Sequence, residues 1–298
     1  MLELRWMRPQ APYMPIATIG LLAALHEGGH EARAGWSGAA ERATLLVHTD
    51  IAQDAVGTLL LDLPWPSLDR LPPIGTPWKQ GLKPTLKTTE RPAEAFRSLL
   101  EGAAPLEARL LRAIVTDAVL DGDGLPSRSR LLRGVKADLS SIAKPPKRMT
   151  ADGLAAELRD GPDFRRGESG LGLGLVPEVQ TFGGTTGPDA STVGAYSPLL
   201  YLLLWRGIMA LPPVAVLRGR RRSVGGPLVT KPDVISWPRW HFPADLRTLR
   251  GLFSLLQVHA DEPSASELRK RNLEAVYRAR AVPLSTMVAV FRWGERVV

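Results

Sequence analysis

Seven prolines between residues 64 and 92 (Pro64, Pro66, Pro72, Pro73, Pro77, Pro84 and Pro92) constrain this chain more than any other feature. Proline lacks the amide donor, fixes φ and restrains the residue before it, so neither a central strand nor a long helix can run through the segment. The expected form is an extended surface loop with Trp65, Trp78, Lys79, Lys83 and Lys87 spaced along it. Proline and glycine are common throughout, 26 and 28 among 298 residues, so the flanking elements must be joined by many turns. Hydrophobic residues at 44% and charged residues at 23% are ordinary globular usage, enough for a real core and contrary to wholesale disorder.

Ahead of the proline segment the pattern alternates. Leu2–Met7 predicts an opening strand with Leu2, Leu4 and Trp6 on one face. IATIGLLAALHE, residues 16–27, predicts a helix stopped by Gly28 and Gly29. Ala43–Val47 follows as a strand, and Asp50–Leu61 as an amphipathic helix with Ile51, Ala55, Val56, Leu59 and Leu60 inward. Past the prolines, Ala93–Leu100 and Leu106–Leu120 predict helices, the second closed by Asp121–Gly124. A domain boundary or a mobile loop is expected near Pro145–Asp163.

In the second half, Ser197–Leu211 predicts a buried helix with Ser197 as N-cap and Pro198 at the first helical position. Val214–Leu217 and Val234–Trp237 are short strands flanking RGRRRSVGGP, and Pro243–Val258 is helical with Leu246, Leu249, Leu252, Phe253 and Leu256 on one face. Ser266–Val276 predicts a short charged helix, and Met287–Trp293 has strand-like residues. The expected class is therefore α+β, a mixed sheet with packed helices and long Pro-, Gly- and Arg-rich loops. Two subdomains are expected, residues 1–150 and 151–298.

Cysteine is absent, which excludes a disulfide framework and any thiolate-held zinc or iron–sulfur centre. The longest apolar stretch, Leu199–Leu217, contains Arg206 and the pair Pro212-Pro213 and fails as a bilayer span of ~20 residues. Ile16–Leu25 imitates a signal peptide only loosely, because His26–Glu31 places polar residues where small ones should lead to cleavage. A cytoplasmic protein without a membrane partner is expected.

The net charge of +8 comes from 38 Lys and Arg against 30 Asp and Glu, and 30 of the 38 are arginine. Arginine's planar fork suits phosphate, which raises a nucleic-acid partner; a GC-rich genome would also enrich arginine. Three patches stand out. Arg128, Arg130, Arg133, Lys136, Lys144, Lys147 and Arg148 face a single acid, Asp138, within residues 128–148. Arg218, Arg220, Arg221 and Arg222 sit among Gly219, Gly225 and Gly226, read as a mobile turn, and Trp78 accompanies Lys79–Lys87. Clustered guanidiniums of this kind neutralise phosphates and release counterions. The aromatic run WPRWHFP, residues 237–243, offers stacking surfaces for unpaired bases, with Trp240 and Trp78 as candidates; the alternative for Trp237 and Trp240 is core anchoring.

One motif points elsewhere. HEGGH, His26–His30, has the spacing by which two histidines on one helical face hold zinc while the intervening Glu acts as general base. The chemistry needs a continuous helical turn, and Gly28 and Gly29 each disfavour one by about 1 kcal/mol relative to Ala. The alternative is that the helix stops at Glu27. The stretch GESGLGLGL, residues 167–175, matches neither phosphate-loop nor dinucleotide spacing, and DGDG at 121–124 reads as a turn. No cofactor and no catalytic residue is assigned.

Four segments together resemble a known group: the helix IATIGLLAALHE, YSPLLYLLLWRGIMALPPVAVL at 196–217, ISWPRWHFPADLRTLRGLF at 235–253 and EAVYRARAVPLS at 274–285. Their order and spacing are similar to those of the divergent large-subunit-like family of type I-G (formerly I-U) CRISPR effector complexes, the antiviral surveillance complexes called Cascade. The resemblance implies a non-catalytic subunit that binds crRNA and target DNA, reads the PAM on the duplex and recruits the helicase-nuclease, alongside the other Cascade subunits. It carries over no individual PAM-reading residue. A zinc-dependent hydrolase using HEGGH and a purely protein-binding assembly factor stand as the alternatives.

Overall fold

The structure is a computed structural model and describes residues 1–39, 42–66, 92–120, 126–128, 149–163, 197–212, 214–218, 221–225, 228, 234–283 and 289–298. Its architecture is α+β, and every strand pair among these residues is antiparallel. The first sheet joins β1 (Leu2–Leu4), β2 (Ala32–Ser37) and β3 (Thr44–Thr49) in the order β1-β3-β2. Leu2 pairs with Val47 and Leu4 with Leu45, and all four are buried, as period-two alternation requires. β2 was not foreseen: Ala34, Gly35 and Trp36 are buried in succession, so ARAGWS shows no alternation.

Two helices form the centre. α1 (Met14–Glu27) is apolar on every side and buried from Met14 to Leu25, so the run that imitates an export signal is a core helix. After α2 (Gln53–Asp62), α3 (Pro92–Gly102) and α4 (Pro105–Ile114), the chain turns into β4 (Val115–Leu120). The helix expected over 106–120 therefore stops six residues early, where the β-branched residues Val115, Thr116 and Val119 favour a strand. β4 pairs with β5 (Pro126–Arg128). Within the expected boundary at 145–163 lies a further helix, α5 (Ala151–Asp160), capped by the Thr150 hydroxyl accepting from Gly153 N at 3.1 Å. Leu154, Ala155 and Leu158 are buried on it, so this stretch is structural rather than a loose linker.

α6 (Pro198–Ala210) starts as its sequence dictates, with Ser197 Oγ accepting from Leu200 N at 3.1 Å and proline at the first helical position. The Ser197 hydroxyl also donates to Glu157 of α5, and Leu199 N donates to the same carboxylate at 3.3 Å. A buried carboxylate thus sits at the positive end of a helix, where it satisfies otherwise orphaned donors. α6 crosses α1 at backbone distance: a Cβ on Gly20 would lie 1.8 Å from Leu203 O, and one on Gly207 would lie 2.0 Å from Ile16 O. No other residue fits either position.

The remaining strands are β6 (Val214–Arg218), β7 (Arg221–Gly225), β8 (Val234–Trp240), β9 (Leu273–Pro283), β10 (Ala289–Phe291) and β11 (Glu295–Arg296). β6 and β7 form a two-stranded ribbon; β9 carries β8 on one side and β10 and β11 on the other. Between β8 and β9 come α7 (Leu246–Phe253), α8 (Leu256–His259) and α9 (Ala265–Arg269). The charged helix expected over 266–276 ends at Arg269, because the apolar alternation of Leu273, Ala275, Tyr277 and Ala279 commits the chain to β9.

Indole donors tie distant parts of the chain together. Trp6 Nε1 donates to Leu158 O at 2.9 Å, Trp237 Nε1 to Pro9 O at 2.8 Å and Trp240 Nε1 to Ala34 O at 2.8 Å. With the α1–α6 crossing, these bonds make one core that is continuous across residue 150. Among the described residues, no helix is long and apolar enough to cross a membrane.

His259 is buried and its Nε2 hydrogen-bonds Phe253 O at 2.8 Å. Burial holds its imidazole below the ordinary histidine range, with Arg278 adding repulsion. In the unfolded chain His259 protonates first, so that state binds more protons and stability falls as pH drops through the ordinary histidine range. For this group the slope approaches about 1.4 kcal/mol per pH unit between the two pKa values. Denaturant midpoints measured from pH 7.5 to 5 should fall more steeply for the parent than for His259→Gln, which has no imidazole to titrate. Equal slopes would remove His259 as a source of acid sensitivity.

Candidate functional site

The HEGGH segment is a helix terminus. Gly29 has φ 83°, Gly29 N donates to His26 O at 3.0 Å, and His30 N donates to Leu25 O at 2.9 Å. These two bonds are the paired closure of a Schellman motif, in which a left-handed glycine ends the helix. The helical turn that zinc ligation needs stops between the histidines, so His26 and His30 do not share a helical face. His30 Nδ1 instead lies 3.0 Å from Asp50 Oδ1. Asp50's own backbone amide holds that carboxyl below its usual range, with His30 and Thr49 adding to it against the opposing desolvation.

Glu27, which would be the general base, is held between two arginines. Arg206 Nη1 donates to its Oε2 at 2.6 Å, and Arg109 Nη1 approaches its Oε1 at 2.5 Å. Arg206 projects from the buried α6, its side chain 2% exposed, and also donates to Pro64 O at 3.2 Å. Burial lowers the Arg206 guanidinium from its ordinary value while Glu27 opposes that shift. This explains an arginine inside YLLLWRGIMA: it crosses the helix pair to close the end of α1. No group of three His, Asp or Glu able to hold a metal occurs among the described residues.

The predicted nucleic-acid residues divide by location. Arg130, Arg133, Lys144, Lys147, Arg148, Arg220 and Trp78 lie outside the described residues. Arg128 ends β5. Arg218 pairs in register with Arg221, and Leu217 with Arg222, so three of the four arginines expected in a mobile turn occupy an antiparallel ribbon. Alternating valines in VAVL and the pair Ser223-Val224 supply its strand propensity. Trp240 is fully buried, edge-on to Trp36 at 6.3 Å and to Phe253 at 5.7 Å between centroids, so it anchors the core and offers no face for a base. Trp237, likewise buried, stacks on Tyr277 at 6.1 Å.

A second polar cluster has no sequence signature, because Glu274 lies more than thirty positions from Arg239 and His241. Arg239 is buried, its side chain 1% exposed, and places Nη1 2.9 Å from Glu274 Oε2, while another of its nitrogens donates to Gly38 O. His241 Nε2 meets the same Glu274 oxygen at 2.9 Å, with its ring half exposed. The register of β8 on β9 brings these three together, since Arg239 faces Ala275 and a bulge follows before Trp240. Beside them opens a shallow cavity of about 540 Å³ lined by His241, Phe242, Arg269, Asn272, Leu273 and Glu274. With this geometry in view, comparison with protein-family models, curated proteins and solved structures finds no match.

Proposed function

We propose that this chain is a non-catalytic, cytoplasmic subunit of a crRNA-guided type I CRISPR surveillance complex, binding crRNA and target DNA on the PAM side and helping to recruit the helicase-nuclease. The observation that carries the proposal is the β6–β7 ribbon, whose closing register positions are Arg218, Arg221 and Arg222. A two-stranded antiparallel ribbon fits the major groove of a duplex, and arginine is the side chain best matched to phosphate and to guanine edges. The excess of 38 basic over 30 acidic residues supplies the sequence-independent attraction. The hydrolase alternative loses its ground at Glu27, whose carboxylate serves two arginines at the end of a helix.

Replacing Arg220, Arg221 and Arg222 together with Ala should weaken duplex binding and reduce the slope of log affinity against log salt by up to about 0.9 per lost phosphate contact. The measurement is a binding titration of parent and variant complexes at several salt concentrations. Unchanged affinity with unchanged slope would remove the ribbon from the interface and favour a protein-binding assembly factor.

A further inference from the structure

A shallow cavity opens beside Glu274. Its walls come from the two residues after β8 (His241, Phe242), the end of α9 and the turn that follows it (Arg269, Asn272) and the start of β9 (Leu273, Glu274). The space is about 540 Å³ and lies widely open to solvent, enough for one ring to lie against it. Leu273 is buried and Phe242 partly buried, which provides an apolar bed.

The rim is polar in three ways. The Asn272 side-chain amide has no hydrogen-bond partner among the described residues and presents a donor and an acceptor side by side. Asn272 also has φ 56°, a left-handed conformation that Asn tolerates and that few residues besides glycine share. The exposed Arg269 guanidinium is likewise without a side-chain partner among the described residues. Glu274 differs: Arg239 Nη1 and His241 Nε2 each lie 2.9 Å from its Oε2 as ion-pair contacts without hydrogen-bond geometry, and Oε1 likewise carries no hydrogen bond among the described residues.

A flat, neutral ring with a mixed donor–acceptor edge and an attached phosphate satisfies all three. The ring covers the apolar bed, its edge meets Asn272, and an amino group donates to Glu274 Oε1. The phosphate meets Arg269, whose fork suits it. A bare anion or an acidic peptide would face the Glu274 carboxylate, and a ring showing only a carbonyl there would set two acceptors against each other. We propose that this cavity binds a single unstacked nucleobase bearing an exocyclic amino group, with its phosphate on Arg269. The site deepens the nucleic-acid function proposed above and rests on it for the source of the nucleotide.

The test is fluorescence anisotropy on the full chain with short single-stranded oligo(dC) and oligo(dT), and with dCMP as the free-nucleotide arm. Arg269→Ala and Asn272→Gly are the variants, because both side chains are exposed and glycine keeps the left-handed backbone at 272. Oligo(dC) should bind more tightly than oligo(dT), and Asn272→Gly should weaken oligo(dC) about tenfold with little change for oligo(dT), as expected for loss of an edge contact. Arg269→Ala should lower the salt slope by about 0.7, the value for one single-strand phosphate contact. Equal binding of both oligonucleotides, insensitive to both variants, overturns the cavity and leaves the effector-subunit function standing. Saturable dCMP binding without oligonucleotide binding supports the base-and-phosphate chemistry but overturns the strand as its source. Absence of binding to either oligonucleotide and to dCMP overturns the cavity, while the effector-subunit function stands or falls on duplex binding by the complex.

Discussion

Gly20→Ala should destabilise the protein by at least about 3 kcal/mol, at the upper end of what an added methyl costs in a packed core. The new Cβ would lie 1.8 Å from Leu203 O and 2.9 Å from Gly207 N, so the atoms in its way are backbone and cannot rotate aside. α1 and α6 would have to separate, and with them the layer from Met14 to Leu25 that the rest of the core packs around. Gly207→Ala acts on the same crossing from the other helix, so the two changes should combine less than additively. Gly251→Ala provides the control: it is exposed in α7, nothing lies within 4 Å of its Cβ position, and it should stabilise by roughly 0.5–1 kcal/mol. Chemical denaturation reads all three as shifts in midpoint at constant slope. A Gly20→Ala midpoint equal to the parent's would mean that α1 and α6 do not cross as described.

Glu27→Ala should be the second severe change, costing about 3–5 kcal/mol, because it leaves the Arg206 guanidinium buried and uncompensated. Arg206→Met should cost far less. Methionine fills the volume within α6, and Glu27, with its side chain 22% exposed, still has Arg109 and water. Pairing Glu27→Ala with Arg206→Met should recover most of the stability lost by the first change alone, the signature of a coupled pair. Thermal unfolding of the two single variants and the double variant checks this cycle. A Glu27→Ala protein as stable as its parent would return Glu27 to candidacy as a chemical group.

The elements that were legible in the sequence carry their own local instructions. Ser197 and Pro198 announce α6, Gly28-Gly29 announce the end of α1, and Leu2 and Leu4 mark the inner face of β1. What was missed depends on partners far away in the chain. β2 is a strand because β3 pairs with it over six positions and Ala34 bridges Ala244, although ARAGWS has no period of two. α5 looked like a boundary because its apolar face is short, yet Gly57 lets α2 approach Ala151 O and Glu157 reaches the N-terminus of α6. Trp240 could equally have been a stacking platform or a core anchor, and its burial against Trp36 and Phe253, with its bond to Ala34 O, decides for the core.

The same holds for the sites. Whether HEGGH formed a metal pair or a helix stop turned on the left-handed φ of Gly29. The Arg206–Glu27 pair and the Arg239–Glu274–His241 cluster join residues 179 and about 35 positions apart, which no motif spacing could show. The arginines at 218, 221 and 222 were visible as a run, but their place on a ribbon came from the register of β6 on β7.

The most direct test is to purify the tagged full-length chain together with its neighbouring gene products and measure binding to PAM-bearing duplex across a series of salt concentrations. A surveillance-complex subunit is retained with crRNA and the other subunits, and the complex binds the duplex with steep salt dependence. A chain that purifies alone, free of crRNA and indifferent to DNA at low salt, would contradict the nucleic-acid function at its root.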